Sequence, residues 1–321
     1  MTTTHAIQAV PHTMDPAPVP KYSAGKKRLR TVLAPDRYSQ ADFFMADITD
    51  VASKDDRHSM EHPLFSISKK PDFVERSYEH GAHFIKIKPS GKGLATIWDK
   101  DILIFAISQL VEGLNRERAD TENRTIRFSA YSFMVATNRA TDGREYERLQ
   151  EALERLRGTT IITNIETGGK RIRRGFGFID EWEVVQRAGD GRMEAISITL
   201  SKWLYNAVQA LEVLTMNRAY FRLTGGLERR LYELARKHCG NQARWPVSLA
   251  VLHKKSGSTG TLREFRRMTK EIIADDALPD YRMVYQQDAD KVVFTSKDAK
   301  VLAHASTAQL VLVMEESPEY S

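Results

Sequence analysis

Residues 261–275, TLREFRRMTKEIIAD, contain the clearest helical pattern in the chain. Thr261 followed by Glu264 is typical of a helix N-terminus, because each side chain can satisfy a backbone N–H that the first turn leaves unpaired. At about 100° per residue, the apolar residues share one face and the basic residues share the other. The basic residues are Arg263, Arg266, Arg267 and Lys270. The pattern predicts a helix with one face in a core and a cationic surface opposite.

A second short basic helix is predicted just before this one, at residues 249–255. Two short helices joined by a turn that contains glycine, with the second helix basic, are typical of a helix-turn-helix. The alternative is a charged face that is merely solvated. Because the cationic face is almost purely positive, we favour DNA contact, and we add Lys254 and Lys255 as candidate phosphate contacts.

The composition of the whole chain agrees with a cationic globular protein. Its 321 residues are 41% hydrophobic and 28% charged, with a formal net charge of +6. This length predicts two domains plus tails, and the charge makes nucleic acid the first partner to consider. The single Cys239 excludes an internal disulfide and a cysteine-rich zinc site, which favours a reducing cytoplasm. No run approaches the roughly 18 apolar residues of a membrane helix, so neither export nor membrane insertion is expected.

The predicted elements follow the order helix, strand, helix, helix, hairpin twice. In the first copy they are residues 99–114, 125–128, 130–138, 142–157 and the strands 159–166 and 170–185. In the second copy they are residues 224–239, 244–247, 249–255, 261–275 and the strands 280–287 and 290–296. Because this is the element order of a winged helix, we predict an α+β protein with two tandem winged-helix domains. The predicted boundaries are 1–60 for a largely disordered N-terminal tail, 61–213 and 214–300 for the domains, and 301–321 for a C-terminal tail.

Two groups of basic residues in the first predicted domain are further DNA candidates. Arg144, Arg148 and Arg155 share one side of the 142–157 helix. Glutamates share that side, so a self-paired solvated surface is the alternative there. The predicted hairpin carries a second group, which we expect to lie along a phosphate backbone as a wing does. That group is Lys170, Arg171, Arg173 and Arg174.

Six segments of the chain, in order, resemble the plasmid replication initiator (replication initiator protein A) family of Gram-negative bacteria. They are EHPLFS (61–66), WDKDIL (98–103), GREYERL (143–149), GFGFID (175–180), LERRLYELARKHCG (227–240) and LREFRR (262–267). The resemblance covers roughly residues 61–300. It implies that two winged-helix domains bind direct repeats (iterons) in double-stranded DNA at a plasmid origin. It also implies duplex opening with the host initiator, loading of the replicative helicase, and monomer–dimer self-association linked to copy control.

We expect no catalytic residues, no cofactor and no metal. Replication initiators that nick DNA hold a metal with a His-hydrophobic-His motif, which this chain lacks; His80 and His83 are separated by Gly and Ala. The sequence around Gly169 lacks the first Gly and the hydroxyl residue of a phosphate-binding Walker A loop. Two alternatives stay open, a winged-helix transcriptional repressor, including a repressor of its own gene, and a nicking replication enzyme. A repressor would usually bind a palindrome as a dimer.

A short apolar segment at residues 40–48 interrupts the predicted N-terminal tail. Gln40, Asp42, Phe43 and Phe44 resemble the peptide with which bacterial replication proteins dock on the sliding clamp. In that reading the two rings bury in a preformed apolar groove, at roughly 25 cal/mol per Å². The alternative is one turn of helix packed on the first domain.

Overall fold

Helices and strands are built around two hydrophobic clusters. The computed structural model describes residues 44–45, 51–80, 83–164, 166–167, 170–171, 174–189, 193–240, 242–298 and 301–302. The helices are α1 (Arg57–Glu61), α2 (Lys100–Asn115), α3 (Ala130–Ala136), α4 (Gly143–Gly158), α5 (Lys202–Gln209), α6 (Gly226–Cys239), α7 (Leu249–Ser256) and α8 (Leu262–Asp275). Short 3₁₀ helices lie at Ala119–Glu122 and Arg218–Arg222. Among these residues, no helix is long and apolar enough to cross a membrane.

Within the described residues, the strands form three sheets of three or four strands and two short ribbons. They are β1 (Phe44–Met45), β2 (Lys54–Asp56), β3 (Arg76–His80), β4 (His83–Lys88), β5 (Thr125–Phe128), β6 (Thr160–Thr163), β7 (Glu166–Thr167), β8 (Lys170–Arg171), β9 (Arg174–Phe176), β10 (Ile179–Gln186), β11 (Met193–Leu200), β12 (Val213–Thr215), β13 (Arg244–Ser248), β14 (Tyr281–Gln286) and β15 (Lys291–Ser296). The fold is therefore a mixture of helix and sheet.

The first cluster contains α2 to α5 and two four-stranded sheets. Their strand orders are β1-β5-β11-β10 and β3-β4-β6-β9. The predicted helices are present, but the predicted second hairpin strand, 170–185, is divided among β8, β9 and β10, and β10 lies in the other sheet. β5 pairs with β11, with Ile126 opposite Ile198. β6, the first strand of the hairpin, pairs with β4 instead, with Ile161 opposite Ile87. The strand after the first helix and the hairpin thus lie in different sheets, which the element order alone did not predict.

The second cluster has the predicted order of helix, strand, helix, helix and hairpin. Its sheet has the strand order β13-β15-β14, so the strand that precedes α7 pairs with the hairpin, with Trp245 opposite Phe294. Phe265 and Ile272 of α8 are buried in the cluster. The predicted bounds of these elements agree with the structure to within two residues.

The ordered part of the chain begins before residue 61. β2 pairs with β12, with Asp56 opposite Val213, and Met60 of α1 is completely buried. The prediction of a disordered tail over residues 1–60 is therefore wrong for residues 54–60. Asp55 and Asp56 are both buried in the folded chain. Asp55 pairs with Lys100, which is distant in sequence, whereas the Asp56 carboxylate accepts hydrogen bonds from Ser59.

Within the predicted clamp-docking segment, residues 40–48, the structure describes only Phe44 and Met45. Phe44 and Met45 form β1, which pairs in parallel with β5, Phe44 lying opposite Ile126. Their backbone is a strand and not the turn of helix given as the alternative. Gln40, Asp42 and Phe43 lie outside the described residues, and the clamp contact stays a prediction.

A network of buried charges connects the two clusters. Lys100 Nζ lies 2.6 Å from Asp55 Oδ2 and 3.1 Å from Glu233 Oε1, and all three side chains are almost completely buried. Asp101 Oδ1 forms an ion pair with Arg229 Nη1, with the two atoms 2.7 Å apart. Lys100 and Asp101 belong to α2, whereas Arg229 and Glu233 belong to α6. Because unpaired charge is costly in a dry interior, these contacts hold α2 and α6 together.

Asp55 predicts a pH dependence of stability. Burial raises the pKa of Asp55 from its ordinary value to about 8, although Lys100 opposes the shift. Between about pH 4 and this raised value the folded chain keeps a proton that the unfolded chain releases, so stability falls as pH rises. We expect the Asp55→Asn variant to lose this component of the slope when the free energy of unfolding is measured by urea titration across the window. Equal slopes for the variant and the wild type would contradict the prediction.

Candidate nucleic-acid interface

α8 has the two faces that its sequence predicts. The Thr261 hydroxyl accepts a 3.2 Å hydrogen bond from the backbone N–H of Glu264, which caps the helix. Phe265 and Thr269 are completely buried. Arg263 and Arg267 are exposed, on the opposite side. The helix therefore packs on the core through its apolar stripe and leaves Arg263 and Arg267 exposed.

The turn between α7 and α8 requires glycine. Gly257 has a φ of 70°, in the left-handed region that L side chains rarely adopt. A Cβ there would also lie 2.8 Å from Pro63 Cβ, and Arg76 Nη1 donates a 3.2 Å hydrogen bond to the Gly257 carbonyl. The angle between the two helices is therefore set by contacts from the first cluster as well as from the turn itself.

Two cations of α8 are held by the β14–β15 hairpin. Arg266 donates from Nε to Asp290 Oδ1 at 3.3 Å and from Nη2 to Oδ2 at 3.0 Å. The Tyr285 hydroxyl donates to the same Oδ1 at 2.6 Å, and Lys270 Nζ lies 4.7 Å from the centre of the Tyr285 ring. Hydrogen bonds to Asp290 raise the pKa of Arg266, and Arg266 lowers the pKa of Asp290. Sequence reasoning named Arg266 and Lys270 but missed Asp290 and Tyr285.

The other predicted cations of this half differ in their availability. Arg267 makes an exposed i, i+4 pair with Glu271 at 2.5 Å. Arg263 and Lys254 are exposed, with no ion pair to the residues that the structure describes. Lys255 is only 29% exposed and contacts Glu61 of α1. Arg263, Arg267 and Lys254 are therefore open to DNA, whereas Lys255 holds α7 against α1.

The three arginines of α4 are also unequal. Arg144 is exposed, and Arg148 is 65% exposed but pairs with Glu145. Arg155 is 16% exposed and binds Asp99 through two hydrogen bonds, from Nε at 2.7 Å and from Nη2 at 2.8 Å. Because Asp99 directly precedes α2, Arg155 connects α4 to α2. We therefore leave Arg155 and Lys255 out of the surface proposed below.

The basic hairpin of the first half is present in the backbone. β7 pairs with β8, so that Glu166 lies opposite Arg171 and Thr167 opposite Lys170. Arg174 is exposed on β9. Only the backbone is described for Lys170 and Arg171, and Arg173 lies outside the described residues. The predicted phosphate contact of these four residues stays a prediction.

A cleft of about 690 Å³ lies beside α4, between residues of the two clusters. Sequence analysis did not predict it, because its walls come from distant parts of the chain. Its charged lining residues are Lys69, Lys92, Arg139, Arg148, Arg155, Arg222, Arg229, Asp99, Asp101, Glu145 and Glu151. All four acids are in ion pairs with basic residues of the same lining. We assign no ligand to this cleft.

The residues considered for metal or redox chemistry have packing roles where the structure describes them. His238 stacks on Trp245 with ring centres 4.2 Å apart, and burial lowers its pKa to about 4. Cys239 is buried and free at the end of α6. In the described part of the chain, no three His, Cys, Asp or Glu side chains are grouped so that they could hold a metal ion.

Comparisons with known proteins identify the family. A family model described as replication initiator protein A matches residues 54–283. A putative replication protein of Wigglesworthia glossinidia brevipalpis is 39% identical over 259 residues, which are 80% of this chain and 94% of that protein. Among solved structures, domains 2 and 3 of RctB match with a TM-score of 0.55 at 10% identity, over 76% of this chain and 99% of that one. The structural likeness concerns the fold alone. On the family match and the 39% identity, the chain belongs to the replication initiator protein A family.

Proposed function

We propose that this replication initiator binds direct repeats in double-stranded DNA at a plasmid origin. It then helps to open the duplex and recruits the host initiator and the replicative helicase. Its action in this proposal is binding and assembly, without covalent chemistry or a cofactor. The proposal is supported by the family and by the cationic surface of α8.

The observation that carries the proposal is the architecture around α8. The helix–strand–helix–helix–hairpin order and the sheet order β13-β15-β14 support a winged helix. In that arrangement the second helix of the pair enters the major groove, where Arg can bond to guanine O6 and N7. Arg263, Arg266 and Arg267 lie on the surface of this helix and would read bases. Lys254 would bind phosphate from α7.

The first half is proposed as a second, modified winged helix that positions the protein. The same order of elements is followed here by α2, β5, α3, α4 and the β6–β9 hairpin. The difference is that β5 pairs in another sheet than the hairpin does. Arg144 and Arg148 share their helix with several glutamates, which suits backbone contact better than base reading. Self-association between monomer and dimer is also assigned to this half.

The proposed function is tested by footprinting the full-length protein on the origin of its own plasmid. We expect protection of direct repeats, with one monomer covering each repeat through its two winged helices. Protection of a palindrome by a dimer would favour the transcriptional repressor instead. A protein that protects no sequence at all, at a salt concentration where it is folded and monomeric, would contradict the proposal.

The hairpin of the first half is expected to contribute salt-dependent affinity. Neutralising Lys170, Arg171, Arg173 and Arg174 with Gln should lower the slope of log affinity against log salt by up to about 0.9 per lost phosphate contact. Preference among sequences should be retained. Arg116→Gln removes an exposed cation from the end of α2 and serves as the control, which should leave the slope unchanged. An unchanged slope in the quadruple variant would show that the hairpin points away from DNA.

A further inference from the structure

The contact between Arg266 and Asp290 uses only one edge of the guanidinium group. A guanidinium carries five N–H donors in a flat fork. Asp290 takes Nε–H and one N–H of Nη2. Three N–H donors remain, two on Nη1 and one on Nη2. One from each of these nitrogens forms the adjacent edge of the fork, which points away from the carboxylate. This is the edge that can donate two parallel hydrogen bonds to O6 and N7 of one guanine.

Asp290 is itself fixed by the fold. Its φ is 46°, in the turn between β14 and β15. Its carbonyl accepts a 2.9 Å hydrogen bond from the N–H of Leu249 at the start of α7, and its own N–H donates to the Gln287 carbonyl at 3.3 Å. The Tyr285 hydroxyl donates a hydrogen bond to the same carboxylate. The backbone of Asp290 is therefore tied to α7 and to the hairpin turn, and its carboxylate is bonded to Tyr285 of β14.

We infer that Asp290, supported by Tyr285, is a positioning residue that aims the free edge of Arg266 at a single guanine. Asp290 would not touch DNA in this arrangement. Holding the fork in one orientation lowers the side-chain entropy lost on binding and disfavours other bases at that position. The negative charge of Asp290 has a separate effect. A carboxylate near DNA repels the phosphates and so weakens binding to all sequences alike. The inference rests on the proposed function, in which α8 reads the origin repeats.

The test compares Asp290→Asn with Asp288→Asn in the full-length protein. Asp288 is exposed in the same turn, so its substitution removes the same charge without touching Arg266. Binding is measured to the origin repeat and to a set of repeats with one base pair changed at a time. Asp290→Asn should reduce the preference for G·C at one position by about tenfold, the scale of one bidentate contact. Asp288→Asn should leave every preference unchanged and at most tighten binding to all duplexes alike.

Two further variants make the outcome decisive. Tyr285→Phe keeps the ring beneath Lys270 but removes the hydroxyl, and it should weaken the preference at the same position to a smaller extent. Arg266→Ala should abolish that preference, and adding Asp290→Asn to it should then change nothing more. If Asp290→Asn behaves like Asp288→Asn, Asp290 acts through charge only and the inference is wrong. If the wild type shows no preference among the duplexes, the proposed function itself fails.

Discussion

Replacing Lys100 with Met is expected to lower the free energy of unfolding by about 3–5 kcal/mol, the usual cost of breaking a buried ion pair from one side. Lys100 is completely buried between Asp55 and Glu233, so its removal takes a buried counter-charge from Glu233 and the hydrogen-bond partner from Asp55. Met is close in size to Lys, which keeps the loss of packing small. The loss is measured by urea denaturation at neutral pH.

The control for this prediction is an exposed lysine in a similar pair. Lys92 lies 4.0 Å from Glu151, and both side chains are about half exposed. Lys92→Met should therefore change stability by less than about 1 kcal/mol. A similarly small loss for Lys100→Met would mean that water reaches the network, and the two clusters would then be held together mainly by apolar contacts. Because Lys100 and Glu233 belong to different clusters, the experiment also measures how strongly the halves are joined.

The largest functional effect is expected on α8. Substituting Arg263, Arg266 and Arg267 together with Ala should remove the protein's discrimination between an origin repeat and a scrambled duplex, since each base-reading Arg contributes about 1–3 kcal/mol. All three side chains are on the surface, and the buried contacts of Phe265 are untouched. The fold should therefore be retained, which thermal melting can verify. Discrimination is measured as the ratio of dissociation constants for the two duplexes at one fixed salt concentration.

Lys254→Ala is the matched control for the triple variant. Lys254 is exposed on α7 and is proposed to bind phosphate, so its loss should weaken both duplexes by the same factor. A triple variant that weakens both duplexes equally, as Lys254→Ala does, would assign α8 to the backbone and move base reading elsewhere. α4, with Arg144 and Arg148 on its surface, would then be the helix to test.

Much of the local structure was determined by the sequence itself. α8 begins after Thr261 as predicted, and α4 begins after Asp142, whose side chain accepts from the Glu145 N–H at 3.0 Å. These features are readable because caps and hydrophobic periods depend on residues only a few positions apart. The order of elements in the second half follows from them. Short segments such as residues 262–267 also carried the resemblance to the family, which the family match and the 39% identity confirmed.

The pairing of distant residues was decided only by the tertiary structure. β5 could have paired with the β6–β9 hairpin that follows it after α3 and α4, yet it pairs with β11. Arg155 and Arg266 look alike as basic residues on amphipathic helices. Arg155 pairs with Asp99 just before α2, whereas Arg266 pairs with Asp290 in a turn 24 residues away. Whether a basic side chain is paired within the fold or is available to DNA depends on which carboxylate folding brings beside it. Local sequence patterns do not contain that information for carboxylates that are distant in the chain.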